Sequence, residues 1–349
     1  MENCKRVFVG CDLGDKQSDY CVLDEAGEVV ATGRLRTTSA AFRKKFATFE
    51  NARVVVEVGT HSRWVSELLQ AMGHEVIVAN ARKVRLIWGR NQKTDYSDAM
   101  MLARIGRLDV SLLAPVQHRS RAAQQDLACL KARDALVTTR TKLVNCVRGM
   151  VKPFGARFPK CAPEAVPAAA DAIPPELIPA LRPVLDVIAQ LNVQIAAQDK
   201  QIKELALTAH PEAARLSQVN GVGSLTALAY VLSIEDPSRF RKSRHVAPFL
   251  GLTPAKDQSG DHDPQKRISR AGDPFLRRML VQCAHHILGV FGADSDLRSW
   301  GLAIAARGGK NAKKRAVVAV ARKLAVLLHR LWVSGAQYQP IGYRAAPAH

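Results

Sequence analysis

Four carboxylates toward the N-terminal end of this chain have the type and spacing to do chemistry: Asp12, Glu57, Asp95 and Asp98. Asp95 and Asp98 stand three apart in KTDYSDAMMLARI, so on a helix both fall on one face, one turn apart. Asp12 closes the apolar run RVFVGCD, and Glu57 closes the β-branched run RVVVE. An unpartnered acid in an apolar strand is expensive. Carboxylates gathered without a cation repel one another, and their pKa values rise. Hard carboxylate oxygens suit Mg2+, and two such ions roughly 3.5–4 Å apart can activate an attacking oxygen and stabilise a leaving one. The chemistry expected of the set is metal-assisted phosphoryl transfer, with all four acids as Mg2+ ligands. For any one acid taken alone, a solvated surface role competes with this reading.

The elements that must position these acids are short. Residues 19–23 and 28–35 alternate apolar and polar on either side of Glu25-Ala26-Gly27, which is a hairpin signal. Residues 53–58 form a strand of the kind buried on both faces. His61–Met72 is helical in pattern, with Trp64, Val65, Leu68 and Leu69 on one side and Gly73 as its stop, and residues 75–79 are a further strand. Strand, hairpin, strand, helix, strand predicts an α/β layer with a mixed sheet, whose strand ends collect functional groups at one edge. This is the order of the RNase H-like fold, shared by sugar kinases and polynucleotide-processing nucleases.

From Arg119 to Met150 the pattern is helical and basic, and Pro153 and Pro159 close it. Residues 161–175, rich in Ala and Pro, read as a linker. Over 177–208 a heptad seam runs through Leu181, Val184, Ile188, Leu191, Ile195, Ile202 and Leu205, interrupted at Gln198. It predicts a long coiled-coil helix packed on a partner, either another subunit or a helix of the same chain. Residues 217–349 read as a basic, mostly helical domain. Within it, VNGVGSLTA at 219–227 resembles a helix-hairpin-helix, whose turn at Gly221 and Gly223 would offer backbone N–H groups to a phosphate. Asn220 stands where that motif usually has Pro, and a simple packing corner is the alternative.

The 349 residues, 47% of them apolar, suffice for two or three domains with cores. The seven cysteines are scattered, odd in number and without a C-x-x-C pair, which argues against a disulfide framework or a zinc site. No apolar run approaches the roughly 18 residues that cross a bilayer, and the polar Met1–Arg6 lacks the features of a secretory leader. The chain reads as cytosolic, with no membrane partner. The net charge of +20 is uneven. Residues 1–159 hold 26 Lys/Arg against 16 Asp/Glu, 160–238 hold 5 against 9, and 239–349 hold 20 against 6. Two basic blocks around an acidic middle fit a polynucleotide partner, because each neutralised phosphate releases a counterion.

Asp12, Glu57 and the K-T-D-Y-S-D-A run at 93–99 together resemble the DEDD transposases of bacterial insertion sequences. The resemblance covers nearly the whole chain. It implies a RuvC-like domain over 1–159, a linker and coiled-coil helix over 160–212, and a basic C-terminal transposase domain over 213–349. GLTPAKDQSG, followed by KRISRAGDPFLRRML, is similar to the second conserved domain of that family. The similarity implies that Ser259 is a nucleophile that becomes covalently joined to DNA. Lys266, Arg267, Arg270, Arg277 and Arg278 would then clamp phosphates or the transition state. The family further implies double-stranded donor and target DNA and a noncoding bridge RNA that pairs with both. It also implies assembly with itself as a dimer or tetramer in the bacterial cytosol or nucleoid. Three rivals stand beside this reading. A Holliday-junction nuclease would use the same acids with water as nucleophile. A sugar kinase or ATPase of the same superfold would need a Thr/Ser-rich phosphate loop that is missing here. A non-catalytic nucleic-acid scaffold would ignore the acids altogether.

Overall fold

Strand alternation and two tight turns build the first layer. The computed structural model describes residues 6–82, 95–260, 262–264 and 266–342, and the chain divides into two units, 1–118 and 119–349. In the first unit, β1 (Phe8–Leu13) pairs antiparallel with β2 (Gln17–Leu23), and β2 with β3 (Val29–Arg36). The β2–β3 turn is the expected one. Gly27 takes a φ of +92°, and Asp24 Oδ1 accepts from the N–H groups of Gly27 (2.8 Å) and Glu28 (2.9 Å). Helix α1 (Ser39–Phe46) follows, capped by Thr38. Strand β4 (Arg53–Glu57), helix α2 (Ser62–Ala71) and strand β5 (Glu75–Ala79) come next, with Gly73 at φ +90° turning the chain between the last two. The sheet order is β3-β2-β1-β4-β5, with β1, β4 and β5 parallel.

The two faces of this sheet carry different cores. On one, Val9, Cys11, Val22, Val54, Val56 and Val78 meet Phe42 and Phe46 of α1 and Val65, Leu68 and Leu69 of α2. The other face is covered by helix α3 (Asp95–Leu108), which buries Ala99, Leu102, Ala103, Ile105 and Gly106. Small residues make that contact close. A Cβ on Gly10 of β1 would stand 2.4 Å from the Ala103 nitrogen, and one on Gly106 would stand 2.3 Å from Val55 Cγ2 of β4. The α/β layer with a mixed sheet is as expected.

The second unit is helical. Helix α4 (Arg121–Met150) and helix α5 (Ile178–Thr208) pack on one another and run antiparallel. The first half of α4 and the last turns of α5 join one core, where Ala123, Leu127 and Leu130 meet Ile202 and Ala206. At the other end, Val144, Val147 and Val151 meet Leu181, Leu185 and Ile188 in a separate cluster. The heptad seam therefore faces a helix of the same chain. Leu181, Ile188, Ile195 and Ile202 are buried as the spacing predicts, while Leu185 and Ala206 are buried beside the half-buried Val184 and Leu205. Gln198 keeps its place in the seam, with its Oε1 buried and without a hydrogen-bond partner.

One expectation shifts here. The stretch 161–175 is no free linker. It folds into short 3-10 turns that bury Val166 and Ile173 against α4 and α5, because its few apolar side chains close the distal cluster. Helix α4 packs its apolar residues on α5 and on the core around it. The remaining core elements are α6 (Pro211–Leu216), α7 (Ser224–Ile234), α8 (Pro274–Leu288), α9 (Asp296–Ala305) and α10 (Ala312–Ser334). Every residue of α7 from Thr226 to Ile234 is buried, and the Tyr230 hydroxyl donates to the Ala325 carbonyl of α10 at 2.7 Å. Among the described residues no helix is long and apolar enough to cross a membrane.

Candidate active site

Register decides where the first two acids stand. In the parallel β1–β4 pair Cys11 lies beside Val56, so Asp12 and Glu57 are the next residues along the two neighbouring strands. Alternation turns Cys11 and Val56 toward the α1–α2 face. Gly10 and Val55 face α3, and Asp12 and Glu57, two residues further on, share that side. Asp95 and Asp98 occupy the first turn of α3, where acidic side chains complement the positive end of the helix dipole. Ala99, the residue after Asp98, lies on Gly10, two residues before Asp12. One edge of the first unit thus collects Asp12 and Glu57 from the sheet and the Asp95–Asp98 turn from the helix above it. Lys93 and Thr94 of the same motif lie outside the described residues.

A fifth acid and a cation belong to this edge. Asp19 is the cross-strand partner of Asp12 in the β1–β2 pair. Both of its oxygens accept from Arg34 Nε at 3.1 Å. The hydrogen bond and charge of Asp19, together with the charge of Asp95, raise the Arg34 pKa above its usual value. Arg34 therefore neutralises the acid next to Asp12. The pair could not be counted from the turn, since a bulge between Val22 and Leu23 shifts the register by one residue, and straight counting from the Leu23–Val29 pair would set Asp19 opposite Gly33. On the turn after β1, Asp15 accepts from His61 Nε2 at 3.2 Å, while the Trp64 indole N–H donates to His61 Nδ1 at 3.0 Å. Nothing in the spacing of the sequence announces that chain of three.

Among the described residues no three Asp, Glu, His or Cys side chains stand close enough together to hold a metal ion. The donor set nonetheless fits Mg2+ in kind, since it consists of carboxylate oxygens with no soft ligand among them. Cys11 lies in the strand between Gly10 and Asp12, but it is fully buried and its thiol is pushed far above its ordinary pKa by desolvation and by the nearby Asp12 charge, so it offers no thiolate.

In the helical unit, Ser259 lies near the tip of a narrow hairpin. The chain leaves at Thr253 and returns at Ser269. Ala255 N–H donates to the Arg267 carbonyl (2.9 Å) and Ser269 N–H to that of Thr253 (2.8 Å). Ser259 and His262 exchange both backbone hydrogen bonds, at 3.0 and 3.1 Å, with Gly260 at the turn. Ser259 is exposed, as expected, but its backbone is paired rather than loose. Gly251 and Gly272 close the base. A Cβ on Gly251 would stand 2.3 Å from the Ala271 nitrogen, and one on Gly272 would stand 2.0 Å from the Phe249 carbonyl oxygen.

The five basic residues after the serine are spread over several tasks. Lys266 pairs with Asp257 across the hairpin and holds that carboxyl below its usual range. Arg277 Nη1 donates to the Leu250 carbonyl at the hairpin base (3.1 Å). Arg278 pairs with Asp134 of α4 at 2.6 Å. Arg267 and Arg270 are exposed on the return strand, Arg270 with a φ of +52°. In the 217–223 turn, Gly221 takes a φ of +86° and lies against Ile287 of α8, whereas Gly223, just before α7, faces open space.

Comparison with known proteins places both regions. A DEDD-type IS110 transposase model matches residues 9–154, and the Transposase IS116/IS110/IS902 family model matches residues 213–296. The chain is 28% identical to the transposase for insertion sequence element IS1111A of Coxiella burnetii, over 93% of this chain and 89% of the relative. It is 28% identical to a probable family 20 transposase of Pseudomonas aeruginosa, over 95% and 98% of the two chains. With the transposase for insertion sequence element IS1328 of Yersinia enterocolitica it shares 26%, over 80% and 83%. The two family models and these relatives make the chain an enzyme that acts on DNA, a transposase. The chain belongs to the IS110-type DEDD transposases.

Proposed function

We propose that this transposase cuts and rejoins the DNA of an insertion sequence with Mg2+ at Asp12, Glu57, Asp95 and Asp98 and with Ser259 as the attacking group. One observation carries the acidic half of this reading. Asp12 and Glu57 are neighbours on adjacent strands, on the face to which α3 brings the Asp95–Asp98 turn. Mg2+ held there would neutralise charge on the phosphate undergoing transfer. The protein's own groups have distinct tasks. The four carboxylates hold the cation, and Arg34 keeps Asp19 from adding a further negative charge. The exposed Ser259 hydroxyl forms a bond to phosphorus as the bond to the departing deoxyribose oxygen breaks. Its proton passes to a base, and the departing oxygen takes one up. Arg267 and Arg270, on the strand that returns from Ser259, contact the phosphates beside it. Gly223, open at the start of α7, offers its backbone to a further phosphate.

The reading extends to partners. Double-stranded donor and target DNA, a noncoding bridge RNA that pairs with both, and further copies of this chain in a dimer or tetramer complete the assembly. The two basic blocks give the protein surface for RNA and DNA at once, and base pairing would then select the site.

The deciding experiment uses Ser259→Ala with Mg2+ and end-labelled substrate DNA. The covalent protein–DNA adduct is expected to disappear while DNA binding persists. Nicking without an adduct in the parent protein would instead make water the nucleophile, as in a junction-resolving nuclease. Sequencing RNA that co-purifies with the protein expressed beside its flanking DNA tests the guide, which requires one discrete species transcribed from next to the gene.

A further inference from the structure

The α4–α5 hairpin ends far from the helical core. From Leu130, in that core, to Val151, at the distal end, α4 rises about 30 Å at 1.5 Å per residue. The turn there reads RGMVKPFGARFPK from Arg148 to Lys160, with four cations and no acid. Arg148, Lys152, Gly155, Ala156, Arg157 and Phe158 line a cavity of about 730 Å³. That size suits a nucleotide. Phe158 has one side on the distal apolar cluster, while Phe154, next in the chain to the lining residue Gly155, is 51% exposed. The 3-10 turn Lys152–Phe154 and Gly155, at φ +73°, present both rings and the cations on a backbone-bonded turn.

A simpler role accounts for part of this charge. Cations near a helix C-terminus offset its dipole, and Arg148 donates to the Cys161 carbonyl at 3.0 Å, tying the returning chain. Lys152, Arg157 and Lys160 exceed that need. Glu164, the first acid after the turn, is taken by Arg140 of the shaft at 2.7 Å. Among the described residues no carboxylate answers the turn's remaining cations.

We propose that this distal turn is a binding site for a single-stranded polynucleotide. Lys152 and Arg157 hold its phosphates, and an unstacked base lies on Phe154. The combination is the one that single strands need, a cationic concavity with an aromatic platform, whereas a duplex hides the faces of its bases. The turn from Gly155 onward lies outside both regions matched by the family models. The proposal rests on the chain's action on nucleic acid. It does not depend on the metal or the serine.

The test measures binding of the full chain to fluorescent single-stranded DNA, single-stranded RNA and duplex DNA across a salt series. Lys152→Gln with Arg157→Gln is expected to flatten the single-strand salt dependence by about 0.7 per lost cation. Phe154→Ala is expected to weaken single-strand binding about fivefold or more while sparing duplex. These side chains are exposed, so melting curves should match the parent. The preferred single strand, RNA or DNA, names the source. Unchanged single-strand affinity and salt slope in both variants, or equal losses for duplex and single strands, would overturn the site. Asp95→Asn separates this from the catalytic reading, since it should abolish strand cleavage and leave single-strand binding intact.

Discussion

Gly10 of β1 lies against the backbone of Ala99 in α3, with no room for a side chain between them. A Cβ added to Gly10 would stand 2.0 Å from the Ala99 carbonyl oxygen, and that oxygen belongs to the helix backbone. Because Asp12 lies two residues after Gly10 and Asp98 one before Ala99, this single approach sets the spacing between the sheet acids and the helix acids. Gly10→Ala is expected to destabilise the first unit by about 3 kcal/mol, at the upper end of the range for overpacking, because neither backbone can yield. Strand cleavage should be lost even where the variant stays folded. Gly73→Ala is the control, since it meets no atom within 4 Å and carries only the strain of φ +90°. Chemical denaturation and a cleavage assay on both variants decide it. Normal cleavage by a folded Gly10→Ala would show that the α3 position does not matter.

The Asp19–Arg34 pair leads to a second expectation. With Asp19 present, the guanidinium beside it is neutralised, and Asp12 faces no net charge across the strand. Asp19→Asn leaves the cation in place without its partner, within reach of the Asp95 charge. A bare positive charge there repels Mg2+. At about 1 kcal/mol, the aqueous value for unit charges 4 Å apart, the Mg2+ requirement of cleavage should rise about fivefold. Removing both charges with Asp19→Asn and Arg34→Met should restore it. A Mg2+ titration of the three proteins provides the measurement, and an unchanged midpoint in Asp19→Asn would remove Arg34 from the site.

Much of the first unit was legible because its signals are local. The alternation around Glu25-Ala26-Gly27 and the β-branched run before Glu57 mark strands whose ends differ from the expectation by one or two residues. The placement of Asp12 beside Glu57 required only the order of the strands. The docking of α3 was not legible, since a glycine inside a strand reads as a weakness until the helix above it is seen. The seam of α5 was legible in period but not in partner, because heptads do not say which helix they meet. The Ala/Pro-rich stretch misled through composition. Val166 and Ile173 are few, yet they are the residues that close the distal cluster.

His74 sets an acid limit on the first unit. It is buried, its Nδ1 accepts from the Ala52 N–H at 3.2 Å, and its ring stands edge-on to Phe46. Burial lowers its pKa below the usual 6.5, opposed in part by the Phe46 carbonyl. The folded chain therefore refuses a proton that the unfolded chain accepts below that value. The unfolded state binds more protons in that window, so stability is full above about pH 6.5 and falls as the pH drops below it. His118, also in the first unit, is shifted in the same direction by burial and adds to the slope. In His74→Gln, whose amide oxygen can still accept from Ala52, the loss of melting temperature between about pH 7.5 and about pH 5.5 should shrink relative to the parent. An identical loss would assign the acid sensitivity elsewhere.

The last expectation concerns the partner of Ser259. Because Ser259 and His262 exchange both backbone hydrogen bonds across the hairpin tip, their side chains leave the same face of that hairpin. A serine hydroxyl is a poor nucleophile without a base, and His262 is the imidazole that the backbone pairing brings to its side. His262→Gln keeps the hairpin pairing, which uses only the backbone. It is expected to slow adduct formation by about 100-fold, the lower end of what a positioned base contributes, with little change in DNA affinity. Single-turnover adduct formation with and without added imidazole separates this from a structural role, because a free base restores the rate only where a proton acceptor is what the variant lacks. A rate that imidazole does not restore would mean that His262 only shapes the tip and that the proton of Ser259 leaves by another route.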